Sequence, residues 1–142
     1  MTGSRSLVCR LAIAAGGLAV LLPVAGCSQI KYVPVQGKIV LKSKQPLTFG
    51  VVVFMPDKDN PNRLIARGKV NPDGTYELET EGRTGAPVGP YIVCVRGPNR
   101  RINGKDPPPL PFSMKYTDGN DSPLKIAVVE NPAPGAYDLE LN

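Results

Sequence analysis

No histidine occurs anywhere in the chain, and no tryptophan. Without histidine the commonest general base and the commonest metal ligand are both missing. Ser-His-Asp and Cys-His sites, and zinc held by histidine, are therefore excluded. Cysteine is scarce, with three residues. Long helical periodicity is also missing beyond the N-terminal segment, which argues against a helix bundle. What is present in quantity is proline, at 16 residues, and glycine, at 15. They lie scattered between apolar runs, a distribution that predicts many turns. The 142 residues give room for one domain of ordinary size.

The chain opens with Arg5 and Arg10, continues through the apolar run Leu11 to Val24, and reaches the small pair Ala25-Gly26 before Cys27. This is the layout of a targeting segment, and the apolar run is shorter than the roughly 20 residues of a spanning helix. Val24-Ala25-Gly26-Cys27 resembles the lipobox of bacterial lipoproteins. The resemblance implies cleavage before Cys27 and a diacylglycerol thioether on its sulfur. The alternative is an ordinary signal peptide with a chance cysteine. On the first reading residues 1–26 are signal peptide, 27–32 a lipidated tether and 33–142 the folded domain. Cys9 leaves with the signal and Cys27 is taken by lipid, so Cys94 has no partner for an internal disulfide. It sits in the apolar run Tyr91-Ile92-Val93-Cys94-Val95 and is expected to be a small buried hydrophobe. Losing Arg5 and Arg10, and no acid, takes the formal charge from +5 to +3. That is too mild to argue for nucleic acid as a partner.

Seven short strands are predicted. In the first, Val33, Val35, Ile39 and Leu41 alternate with Pro34, Gln36, Lys38 and Lys42, the period-2 pattern of a half-buried strand. FGVVVFM at 49–55 is apolar throughout, as a strand covered on both faces would be. Residues 64–70, 75–79, 91–95, 124–129 and 137–141 supply the others. Asn71-Pro72-Asp73-Gly74 reads as a hairpin turn with Gly74 at an exit that favours positive φ. Lys44-Gln45-Pro46 joins the first two strands, and prolines around 87–90 make the approach to the 91–95 strand irregular. Spaced strands with Gly/Pro turns indicate an all-β antiparallel sandwich or barrel.

The order of these pieces resembles the carboxypeptidase regulatory-like domains of the transthyretin-like superfamily. The matching residues are Gly37, Pro46-Leu47, Val53-Phe54-Met55-Pro56, Asp73-Gly74-Thr75-Tyr76-Glu77-Leu78 and Gly89-Pro90-Tyr91-Ile92-Val93. The likeness spans about residues 33–142 and implies a seven-stranded antiparallel Greek-key β-sandwich. Lys44 departs from it, standing where such domains often have glycine in the turn. These domains usually serve as accessory or adhesive modules. Relatives that hydrolyse purine-derived substrates rely on histidines, so no catalytic residue carries over.

The remaining candidates are charged or turn-forming. Glu77 and Glu79 are expected on one strand face, about 6.5–7 Å apart by strand rise, near the carboxylate spacing of a retaining glycosidase. Alternating acids opposite Tyr76 and Leu78 are what a solvated strand face looks like, and that is the preferred reading. Asp57-Lys58-Asp59-Asn60 and Asp118-Gly119-Asn120-Asp121 offer oxygen atoms to Ca²⁺, but neither fits an EF-hand loop, and they read better as turns. Arg96, Arg100, Arg101 and Lys105 cluster in a Gly/Asn/Pro-rich loop, the candidate ligand contact, without interleaved aromatics to stack bases. Pro107-Pro108-Pro109-Leu110-Pro111 is expected to be a stiff polyproline crossover.

The expected protein is thus a non-enzymatic binding or scaffolding lipoprotein of the bacterial cell envelope. It carries no cofactor or metal and is anchored to the membrane through Cys27. Its partner would be an envelope protein or glycan. Ser28, not Asp, follows the anchor, which favours the outer membrane, on the periplasmic or cell-surface side. The alternatives are a binder of glycan or anionic envelope polymer through the 96–105 loop, and a carboxylate hydrolase built on Glu77 and Glu79.

Overall fold

The computed structural model describes residues 29–98 and 104–142. Residues 1–26, the anchor candidate Cys27, and Arg100 and Arg101 of the basic loop lie outside the described residues. Those described form an all-β, sandwich-like domain. Its strands are β1 (Tyr32–Val33), β2 (Gln36–Leu41), β3 (Val51–Pro56), β4 (Ala66–Lys69), β5 (Thr75–Glu77) and β6 (Glu79–Thr80). They are followed by β7 (Arg83–Thr84), β8 (Ala86–Pro87), β9 (Gly89–Arg96), β10 (Lys125–Val128) and β11 (Leu139–Leu141). The only helical element among the described residues is a 3₁₀ turn at Met114–Tyr116.

All seven expected segments contain strand. Two of them are each divided, into β1 and β2 and into β5 and β6, and β7 and β8 were not anticipated. The larger sheet has the order β10-β9-β3-β4-β6-β7, the smaller one β11-β2-β5, and β1 pairs with β8 apart from both. Phe54 of the large sheet meets Tyr76 of the small one with ring centroids 6.3 Å apart, and Tyr91 at 5.9 Å. Around them Val52, Val93 and Val95 face Ile39, Leu139 and Leu141, all buried. The alternating residues of β2, β3 and β9 therefore do what period 2 requires: one set enters the core, the other does not.

β3 is covered on both faces, as its unbroken apolar run predicts. Val52 and Phe54 lie in the core, while Val53 and Cys94 are buried on the opposite face. There the turn around Gly119 packs so closely that a Cβ would stand 2.7 Å from the Met55 sulfur. Asp118 organises that turn by accepting from the Asn120 N–H through its carboxylate and from the Ser122 N–H through its carbonyl. Ser122 in turn donates to the carbonyl of Val93.

Two features depart from the expected antiparallel plan. β11 lies parallel to β2, with Leu139 opposite Ile39 and Leu141 opposite Leu41. The chain leaves β10 in the large sheet and crosses to the small one, so its end arrives beside β2 running in the same sense. The 75–79 segment also changes sheets midway. β5 pairs with β2 and β6 with β4. Leu78 between them is fully buried, donating its N–H to the Val35 carbonyl. Glu77 and Glu79 consequently belong to different sheets, and the shared face expected from strand alternation does not exist.

Both expected turns have the required geometry. Gly74 takes φ +85°. The Asp73 carboxylate accepts from the backbone N–H and hydroxyl of Thr75, which holds the acid below its ordinary pKa. Lys44 also adopts a left-handed conformation, φ +67°.

Candidate functional site

The sandwich has two ends, and the chain order of β9 identifies them. Val88, just before β9, lines a cleft with Gln29, Ile30 and Asn62, so residues 29–30 meet the body at the Gly89 end. Lys31 pairs there with Glu130 at 2.7 Å, and the Arg83 guanidinium stacks over Tyr32 at 5.2 Å. Arg96 ends β9 eight residues later. At about 3.3 Å per residue, the two ends of this strand lie roughly 23 Å apart.

At the Arg96 end a groove of about 420 Å³ opens between two stretches of chain. One wall is Arg96-Gly97-Pro98, the other Pro107-Pro108-Pro109-Leu110, with Met114 and Thr117 completing it. Leu110 packs directly against Gly97, where any side chain would overlap it. Behind the proline wall Phe112 and Tyr116 are buried edge to face, with centroids 6.4 Å apart. The Tyr116 hydroxyl donates to the Asn142 side chain. The proline run, expected as a crossover between two sheets, instead lies in the connection from β9 to β10, neighbours in one sheet, and forms one side of a concave surface. Met114, 69% exposed, stands out on it. Large apolar side chains open to water on a concave surface are a usual mark of a binding site.

Of the basic loop, Arg96 lines this groove and Lys105 is exposed outside its lining. Leu110, Met114 and Thr117 were not anticipated. A methionine shortly after a proline run was the signal for them, and nothing local marks it as exposed.

The other sequence candidates lie away from this groove. Cys94 is buried, and burial pushes its thiol up, with Asp118 adding to the rise and Arg96 opposing it. Its Sγ lies 3.7 Å from the Met55 sulfur. A buried thiol with a raised pKa is a poor nucleophile. Glu77 accepts from the Gln36 side chain at 3.0 Å, and Glu79 stands across from Arg67 on the other sheet. They line separate clefts.

In the 57–60 turn the Asp57 carboxylate accepts from the Lys58 N–H. The buried Asn60 donates to the Pro90 carbonyl and accepts from the Asn62 N–H. These oxygens are occupied in holding loops. Among the described residues no cluster of three or more His, Cys, Asp or Glu gathers to hold a metal. No buried side-chain nitrogen or oxygen among them lacks a hydrogen-bond partner.

The fold and the groove define an all-β domain with a concavity at one end that, among the described residues, is lined by one cation and largely apolar side chains. Comparison of the chain with protein-family models, with curated proteins and with solved structures finds no match.

Proposed function

We propose that the protein is a lipid-anchored module of the bacterial cell envelope, built on a transthyretin-like sandwich, that holds a partner in the groove beside Arg96 and performs no chemistry of its own. The observation that carries this reading is the separation of the two ends. The tether joins the body at the start of β9, and the groove opens at its finish. A protein fixed at one end, with its proline- and methionine-lined groove at the other, suits display to a partner beyond the membrane. The lipobox-like Val24-Ala25-Gly26-Cys27 supports the anchor, since two or more acyl chains hold a protein stably where one does not. The groove's character supports binding over catalysis: among the described residues its lining offers proline rings, Leu110 and Met114, with Arg96 as the one charged side chain.

A second reading has a specific observation behind it. Arg96 on the groove rim, continued by the basic residues of the 99–105 stretch, suits an anionic polymer such as an acidic glycan.

The test has two arms. Cells fed a palmitate analogue should label the wild-type protein and not Cys27→Ala, which should accumulate unprocessed or soluble. Cross-linking in native membranes should then capture a partner with wild type and lose it with Met114→Asp. Equal labelling of both proteins overturns the anchor. A partner indifferent to Met114 overturns the groove.

A further inference from the structure

The short reach of the tether fixes more than attachment. Cys27 is two residues before Gln29, and each residue spans at most about 3.6 Å, so the anchor lies within roughly 7 Å of Gln29. Gln29 and Ile30 are already seated on the body, lining clefts with Tyr32, Glu81 and Arg83 on one side and Pro61, Asn62 and Val88 on the other. From Tyr32 onward the chain is locked: β1 pairs with β8, and Val33 is buried. No long linker therefore separates the acyl chains from this end of the sandwich.

The surface around the tether has the composition that a lipid–water boundary accepts. Ile30 and Ile65 are 41% and 40% exposed. Glu81 lines both the cleft that contains Ile30 and the neighbouring one that contains Ile65, so the two aliphatic side chains flank one region. Four basic side chains (Lys31, Arg63, Arg67, Arg83) and two acidic ones (Glu79, Glu81) border these clefts. Lys31 is already paired with Glu130. With charges this close to balance, tether length and apolar contact set the docking, and long-range attraction adds little.

We propose that the domain stands on the bilayer that holds its anchor, with this end down and Ile30 and Ile65 at the lipid–water boundary. The Arg96 groove then faces away from that membrane. The inference rests on the reading of Cys27 as the lipidated residue.

The experiment uses the full, processed protein reconstituted in vesicles that carry a quencher at headgroup depth. A polarity-sensitive fluorophore is attached to Ile65→Cys, Arg83→Cys or Met114→Cys, each in a Cys94→Ser background. The labels at positions 65 and 83 should lose most of their emission, and the label at 114 should keep nearly all of it. Raising the salt should leave the pattern unchanged. Flotation of the vesicles separates the two ways to fail. Protein that does not float overturns the anchor and this orientation with it. Protein that floats with position 114 quenched as strongly as position 65 overturns the orientation alone.

Discussion

Gly37 illustrates how one residue answers to partners far along the chain. A Cβ there would overlap the carbonyl of Tyr137 and approach the Tyr76 hydroxyl to 2.8 Å. Tyr76 donates to that same carbonyl at 2.6 Å, so an absent side chain makes room for a buried hydrogen bond between β5 and the stretch before β11. Burial pushes the Tyr76 hydroxyl well above its ordinary pKa, with Asp138 and Tyr137 adding to the rise. An unfolded tyrosine ionises near pH 10, while the folded one keeps its proton. The folded state therefore binds more protons above pH 10, and stability should fall as pH climbs past that point. Tyr76→Phe should flatten this alkaline slope, leaving a remainder from Tyr91, whose hydroxyl burial also raises. At pH 7 the same substitution should cost about 1–2 kcal/mol, because the Tyr137 carbonyl loses its donor. Urea midpoints at pH 7, 10 and 11 check both statements. Lys44 shows the opposite economy. A left-handed non-glycine residue is strained by about 1–2 kcal/mol, and its exposed pair with Glu140 at 2.7 Å returns at most about 1. The turn keeps its shape with lysine at a small net cost.

At the scale of elements, the loop between β3 and β4 is held by asparagines rather than by its acids. Asn60 donates to the Pro90 carbonyl at 2.9 Å, and Asn62 donates to the Val88 carbonyl at 3.0 Å. Together they clip the loop onto the start of β9. Gly89 leaves the space, since a Cβ there would meet the Asn60 amide. Asn60→Ala should destabilise the domain by about 1 kcal/mol: the Asn62 N–H loses its acceptor, while the Pro90 carbonyl keeps the Asp57 N–H. Asn60→Asp should fare no better, because the carboxylate cannot donate to Pro90. Thermal or urea unfolding of both variants tests this, and an Asn60→Asp protein as stable as wild type would reject the clip. The sequence marks 57–62 as a turn from its Asp, Asn and Pro content. Which of those residues carries the turn depends on β9, some thirty positions later.

For the whole molecule, the distribution of charge decides what the groove can attract. Apart from Arg96, the groove lining is uncharged among the described residues, and the other loop cations, Arg100, Arg101 and Lys105, follow within nine residues in the sequence. If an anionic polymer is the ligand, its binding should weaken as salt rises, because the Debye length is only about 10 Å at 0.1 M. Each basic residue near an anionic surface contributes about 1 kcal/mol, so Arg100→Ala with Arg101→Ala should remove about 2. Cosedimentation of the domain with acidic polysaccharide at two salt concentrations measures this. Binding that ignores both salt and the double substitution would leave the apolar groove, and so a protein partner, as the sole reading.

The sequence by itself determined which residues face inward, because alternation is a local property. Tyr76 and Leu78, Tyr91 and Val93, and Leu139 and Leu141 are all buried where period 2 puts them. It determined the Gly74 turn for the same reason: Pro72, Asp73 and Gly74 carry their backbone preferences wherever they sit. Only the tertiary structure decided which sheet each strand joins. Nothing in Glu77-Leu78-Glu79 announces that the chain leaves one sheet for the other at Leu78, since both halves keep the same alternation. The parallel seat of β11 beside β2 is equally silent, as are the separation of the tether from the groove and the gathering of Arg96, Leu110 and Met114 around one concavity. Side-chain periodicity reports a face, whereas pairing depends on crossovers whose loops have no period, and those crossovers bring distant segments together.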